Sequence, residues 1–306
     1  MNSFTKKIAA ILLTLLTILT STLALAEGKE LGSPTLKGPY LGQKPPGLKA
    51  EPFAPVVLSI PGKNHHTLSF STDGKELYFS RYPEHVTMVM REVDGIWQPP
   101  EPAPFPGWEA VFAPDGKSLV VGNGDLFRVN RISGGWSQAE ALKGAVNTKD
   151  YEYYASSSSD GTLYFTRRVN GRAMILRARP DNGAYPVTEE LDAVVNGTVA
   201  FHPFVAPDGS YLLFNYFGRP DGLGEQDIYV SFRQPDGTFG KPVNLGPGVN
   251  SPERELCPVV SPDGKYLFFT RLRGETGTPY WVSAQVIEEA RGKASANHDS
   301  PGRNPK

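Results

Sequence analysis

Residues 250–271 run N-S-P-E-R-E-L-C-P-V-V-S-P-D-G-K-Y-L-F-F-T-R, a strand, a tight turn and a second strand. The run 256–260 is apolar without polar alternation, which suits a strand covered on both faces, and 266–270 is a second aromatic and aliphatic run. Between them Pro262 presets φ, Asp263 can bond its own backbone, and Gly264 can take positive φ. The expected turn is type I with a G1 bulge.

The same unit is written five times. Its turns are Ser71-Thr72-Asp73-Gly74, Ala113-Pro114-Asp115-Gly116, Ser158-Ser159-Asp160-Gly161, Ala206-Pro207-Asp208-Gly209 and Ser261-Pro262-Asp263-Gly264. Aspartates at 73, 115, 160, 208 and 263 stand 42, 45, 48 and 55 residues apart, the period of a propeller blade rather than of a helical solenoid. The expected fold is all-β, a five-bladed β-propeller over 51–288.

The chain has 306 residues and a net charge of −1, without the basic excess that nucleic-acid binding requires. Its 32 glycines and 28 prolines fall largely at turns. Lys6 and Lys7 precede an apolar run, 8–19, and Ala24-Leu25-Ala26 supplies a small-x-small site, so 1–26 is expected to be a signal peptide cleaved after Ala26. The mature chain would then be periplasmic or secreted, with no stable membrane insertion. Cys257 is the only cysteine, which excludes an internal disulfide and points to a small buried side chain.

Residues 27–50 form a Gly/Pro-rich stretch expected to be an extended arm; strands within it would make six blades the alternative. After the central hairpin, each of the first four units has a third strand and then a segment opening on an aromatic: Trp97, Trp136, Tyr185 or Phe239. Proline so near these openings suits an outer edge strand. The fifth unit lacks that segment. An isolated strand expected at 53–58 can fill its place, closing the ring and covering two edges. The tail, 289–306, is polar and expected to be disordered.

The stretches S-P-D-G-K-Y-L-F-F-T-R, A-P-D-G-S-Y-L-L-F and G-E-Q-D-I-Y-V-S-F-R-Q-P-D-G-T-F-G-K-P-V-N-L-G resemble the WD40-like propeller repeats of the TolB type found in exported bacterial proteins. The resemblance spans about 51–287 and implies the propeller fold. It also implies one of the roles such propellers fill: docking module, ligand-binding protein or part of an enzyme.

In a propeller the inner strands line the channel, and their starts gather on one face. Counting back from each turn aspartate, those starts hold His65 and His66, Trp108 and Glu109, Glu152 and Tyr153, Phe201 and His202, and Glu255. The second strands return to the same face with Arg81, Arg167 and Arg271, after Phe-Ser, Phe-Thr and Phe-Thr. Glu152 with Arg167, and Glu255 with Arg271, can be cross-strand ion pairs. The same residues can instead line a ligand pocket, arginines for carboxylates and Trp108 and Tyr153 for stacking. His65, His66, His202, Glu152 and Glu255 are metal-ligand types, but they come from different blades without local spacing, so no metal and no other cofactor is assigned.

G-x-S-x-G, H-E-x-x-H and P-loop signatures are absent. The expected function is therefore non-catalytic: an exported monomer that binds a protein, peptide or cell-envelope ligand through the strand-start face. The alternative is an enzyme acting on a carbohydrate or related small molecule at the channel mouth.

Overall fold

The computed structural model describes residues 35–197 and 199–298; the expected signal peptide, 1–26, lies outside them. Each unit opens with an inner strand: Asn64–Phe70, Trp108–Phe112, Tyr151–Ser157, Ala200–Val205 and Arg254–Val260. Each inner strand pairs antiparallel with a middle strand: Glu76–Tyr82, Ser118–Gly122, Leu163–Val169, Tyr211–Phe217 and Tyr266–Arg273. The third strands are Val86–Val93, Leu126–Ile132, Arg172–Ala178, Gln226–Phe232 and Thr276–Ser283.

The turns form as their residues dictate. In all five the glycine amide donates to the carbonyl three residues back, for instance Gly264 to Ser261 at 2.8 Å, and every such glycine has positive φ. The aspartate then accepts the amide two residues on, at 3.1 Å from Lys265 to Asp263. Where the turn opens on serine, at Ser71, Ser158 and Ser261, its hydroxyl also donates to that carboxylate.

Core packing lies between neighbouring units. Tyr78 and Val89 of the first unit, for example, are buried against Ala110, Leu119 and Val129 of the second. Each inner strand lies against the next, and that of the fifth unit lies against that of the first. Antiparallel units packed inner strand against inner strand are a β-propeller-like arrangement.

Outer strands are short and begin after the aromatic rather than on it: Glu101–Pro102, Glu140–Ala141, Thr188–Glu190 and Val243–Asn244. Trp97, Tyr185 and Phe239 instead turn inward and are buried. The same displacement corrects the expectation for 53–58. Residues Pro55–Leu58 form one helical turn, and the strand that pairs with the fifth unit is Glu51–Pro52, opposite Trp281 and Tyr280. Pro55 is at the first helical position, where its missing N–H costs nothing. Phe53 is fully buried against Phe70, Phe268 and Trp281.

In the arm, residues 35–50 contribute only an isolated bridge, Lys37 to Ile96, and a helical turn, Pro39–Gly42, among the described residues. The tail differs from expectation as well: Gln285–His298 is a helix. Val286, Ile287 and Ala290 are buried, and the Arg291 guanidinium lies 4.2 Å from the Phe232 ring centre. Among the described residues no helix is long and apolar enough to cross a membrane.

Candidate functional site

Every inner strand carries a register shift, and a residue with positive φ sits within or beside each one. These residues are Thr67 (φ 56°), Glu109 (φ 54°), Tyr154 (φ 44°), His202 (φ 53°) and Cys257 (φ 54°), all six positions before their turn aspartate. A left-handed backbone at non-glycine residues costs on the order of 1–3 kcal/mol each and persists only where surrounding structure enforces it. Bulges of this kind re-aim side chains.

The middle strands help to support this backbone. Ser80 Oγ accepts the Glu109 amide at 2.6 Å, and Thr166 Oγ1 accepts the His202 amide at 2.9 Å. Thr270 Oγ1 donates to the His65 carbonyl at 3.1 Å. The hydroxyl residue in Phe-Ser-Arg and Phe-Thr-Arg is thus a bond between units.

The re-aimed side chains meet in a buried cluster. Cys257 Sγ lies 3.5 Å from His202 Nδ1 and 3.6 Å from His66 Nδ1. Glu109 Oε1 lies 3.8 Å from His202 Nε2 and 4.0 Å from His66 Nδ1. Its other oxygen accepts the Tyr154 amide at 3.1 Å, while the Tyr154 hydroxyl donates to the Pro258 carbonyl at 2.8 Å. His66, Glu109, His202 and Cys257 are each less than 9% exposed.

Burial sets the charge state of the cluster. It pushes the Glu109 carboxyl up to about 8 and holds both His66 and His202 down at about 3. It also raises the Cys257 thiol well above its ordinary range. At neutral pH the four groups carry essentially no charge, so the Glu109–histidine approaches are contacts rather than ion pairs. The ligand atoms of His66, Glu109 and Cys257 all lie within 4.8 Å of one another, a spacing a metal ion could span.

Other residues expected at the mouth are spent on structure. Glu152 is fully buried, with Arg167 Nε at 2.6 Å and the Thr148 hydroxyl at 2.7 Å. Glu255 repeats this with Arg271 at 2.7 Å and Ser251 at 2.6 Å. The third pair of the series is His65 with Arg81, whose Nε donates to His65 Nε2 at 3.2 Å; His65 Nδ1 bonds the Leu58 carbonyl. Histidine can replace the carboxylate there because its ring nitrogen accepts from the guanidinium.

Three features escaped sequence reasoning. Cys257 is buried in the apolar core, as expected, and also touches the two histidines of the cluster. The pairs Val146-Asn147, Val195-Asn196 and Val249-Asn250 recur before three inner strands, and each asparagine side chain clamps a third strand, as Asn250 does the Ile228 amide and carbonyl. The repeated Val-Asn dipeptide was the available signal. On the strand-start face, rings join in sequence: Tyr82 and His85 have centres 4.9 Å apart, and His85 and Trp108 4.5 Å. Tyr151 and Tyr153 lie 5.5 Å apart, and Arg168 sits 5.6 Å from the Tyr153 ring centre. On the opposite face a funnel of about 130 Å³ is lined by Phe70, Phe112, Phe204, Val260 and Pro262.

The class defined by this fold is the β-propeller. Comparison with solved structures returns a putative TolB from Agrobacterium tumefaciens, 18% identical over 69% of this chain and 70% of that one, TM-score 0.48. It also returns TolB from Acinetobacter baumannii, 15% identical over 72% and 57%, TM-score 0.46. Arabinanase Arb43A from Bacillus subtilis is 13% identical over 71% and 92%, TM-score 0.48. This chain spans less than two thirds of the Acinetobacter protein. No protein-family model and no curated protein matches it.

Proposed function

We propose that this chain is an exported, five-bladed propeller that works as a non-catalytic binding module for a protein, peptide or cell-envelope ligand through its strand-start face. The observation that carries the reading is the aromatic set of the strand-start face, Tyr82, His85 and Trp108 in one group and Tyr151 and Tyr153 in another, contributed by three units. Tyr82 is 44% exposed and Tyr151 41%. Rigid aromatic rings with a polar edge, and a guanidinium beside them, are the residue types that concentrate binding energy. Five blades are supported by the cyclic contact of the inner strands, and ring closure by the pairing of Glu51–Pro52 with the fifth unit.

Of the residues expected to bind, Trp108 and Tyr153 belong to this set, while Glu152 pairs with Arg167 and Glu255 with Arg271. The test is capture of partners from cell-envelope extract by the mature chain, with Tyr82→Ala, Trp108→Ala and Tyr151→Ala as variants. Expected is loss of the captured species in all three with melting temperatures near wild type. Unchanged capture in all three, or loss only on changing Phe112 in the opposite funnel, overturns this face as the binding surface. N-terminal sequencing of the mature protein checks export, with Glu27 as the expected first residue.

A further inference from the structure

We infer that the channel cluster is a binding site for one divalent transition-metal ion of the zinc type, held by Cys257, His66, Glu109 and His202. These four residues come from four units, and nothing in the local sequence pairs them. They converge because three of them stand at the bulged, left-handed position of their inner strands and His66 stands one residue before it.

The spacing suits an ion. Bonds of about 2.0–2.3 Å to nitrogen, oxygen and sulfur put tetrahedral ligand atoms roughly 3.3–3.7 Å apart. Cys257 Sγ lies 3.6 Å and Glu109 Oε1 4.0 Å from His66 Nδ1, the ligand atoms of these three residues all lie within 4.8 Å of one another, and His202 offers Nε2 at 3.8 Å from Glu109 Oε1. Small side-chain rotations draw such a set onto one centre.

The surroundings divide the donors as a metal site requires. Glu109 Oε2 is occupied by the Tyr154 amide, which leaves Oε1 facing both imidazoles. His202 Nδ1 lies 2.9 Å from Asn215 Oδ1, so its N–H donates there and Nε2 keeps a lone pair toward Glu109. That is the outer hydrogen bond that fixes a ligating histidine. His66 Nδ1 lies 3.1 Å from the Thr67 hydroxyl and 3.6 Å from Cys257 Sγ.

Charge and ligand chemistry select the ion. One thiolate and one carboxylate carry −2, so a divalent ion makes the loaded site neutral, as a buried channel demands. Thiolate and imidazole ligands favour zinc-type ions over magnesium or calcium, which prefer all-oxygen shells. Loading displaces the Cys257 and Glu109 protons to solvent, and no redox step is involved.

The experiment strips the full mature chain with chelator, loads it with Zn²⁺ or Co²⁺ natively and during refolding, and measures bound metal after desalting. One ion per chain is expected, with a thiolate-to-cobalt charge-transfer absorption. Magnesium should compete with neither ion. Cys257→Ser should abolish the charge-transfer band. Asn215→Ala should weaken binding by about 10–100-fold, as removal of outer-shell partners does. His65→Gln, next in sequence but committed to Leu58 and Arg81, should keep full stoichiometry. Absence of the band in the folded wild type, loaded either way, overturns the site even if no variant folds. So does a band that survives in Cys257→Ser.

Discussion

Arg271 Nε meets the fully buried Glu255 carboxylate at 2.7 Å, and its Nη2 donates to the Val249 carbonyl at 2.8 Å. One guanidinium therefore ties the start of the fifth inner strand to the loop that delivers it. Removing the arginine would leave a carboxylate in a dry site, so Arg271→Ala should destabilise by about 3–5 kcal/mol in urea titration. Arg273, 76% exposed and paired with Glu253, is the contrast. Its alanine variant should stay within about 1 kcal/mol of wild type.

Phe53 seals the join between the first and last parts of the chain. Phe53→Ala should cost about 3–5 kcal/mol, because the cavity would open among rings that cannot collapse into it. Ending the chain before Gly292 should do little by comparison, since the buried residues Val286, Ile287 and Ala290 remain. Thermal melts of the two variants make the comparison. An equal and small effect would mean that Phe53 does not hold its segment against the fifth unit.

Asn250 donates to and accepts from Ile228 and also donates to Asn244 Oδ1 at 2.8 Å. Asn250→Ala leaves the buried Ile228 amide without its Asn250 acceptor, while the Ile228 carbonyl keeps the Leu245 amide at 3.2 Å, with an expected loss of about 1–3 kcal/mol for the amide left unsatisfied. Hydrogen exchange should locate the effect at the Ile228 amide.

The turn carboxylates set the acid limb of stability. For Asp160 and Asp208 the serine hydroxyls of Ser158 and Ser210 hold the carboxyl below its ordinary value, against partial burial. For Asp73 and Asp263 burial acts upward, but the hydroxyls of Ser71 and Ser261 and the following amides outweigh it. A folded-state pKa below the unfolded one stabilises above the unfolded value, about 4 for aspartate, and that stabilisation is lost as pH falls through the folded value. The melting temperature should therefore drop below about pH 4. Asp160→Asn should flatten part of that drop, and a profile identical to wild type would count against the assignment.

The sequence by itself determined the repeat, the turn type and the identity of inner, middle and third strands. Those features are local: a Pro-Asp-Gly turn fixes φ within four residues, and an apolar run of strand length has few other ways to be buried. Its arginine and glutamate spacing also specified the cross-strand pairs, because antiparallel register across a short turn is local as well. Only tertiary structure decided that Phe53 turns inward while Glu51–Pro52 pairs with Trp281 and Tyr280, a contact spanning more than two hundred residues. Tertiary structure likewise made Cys257, a buried strand residue of the apolar core, the neighbour of His66 and His202. Their convergence follows from bulges repeated on strands of different units, and it arises only when those units are brought around one axis.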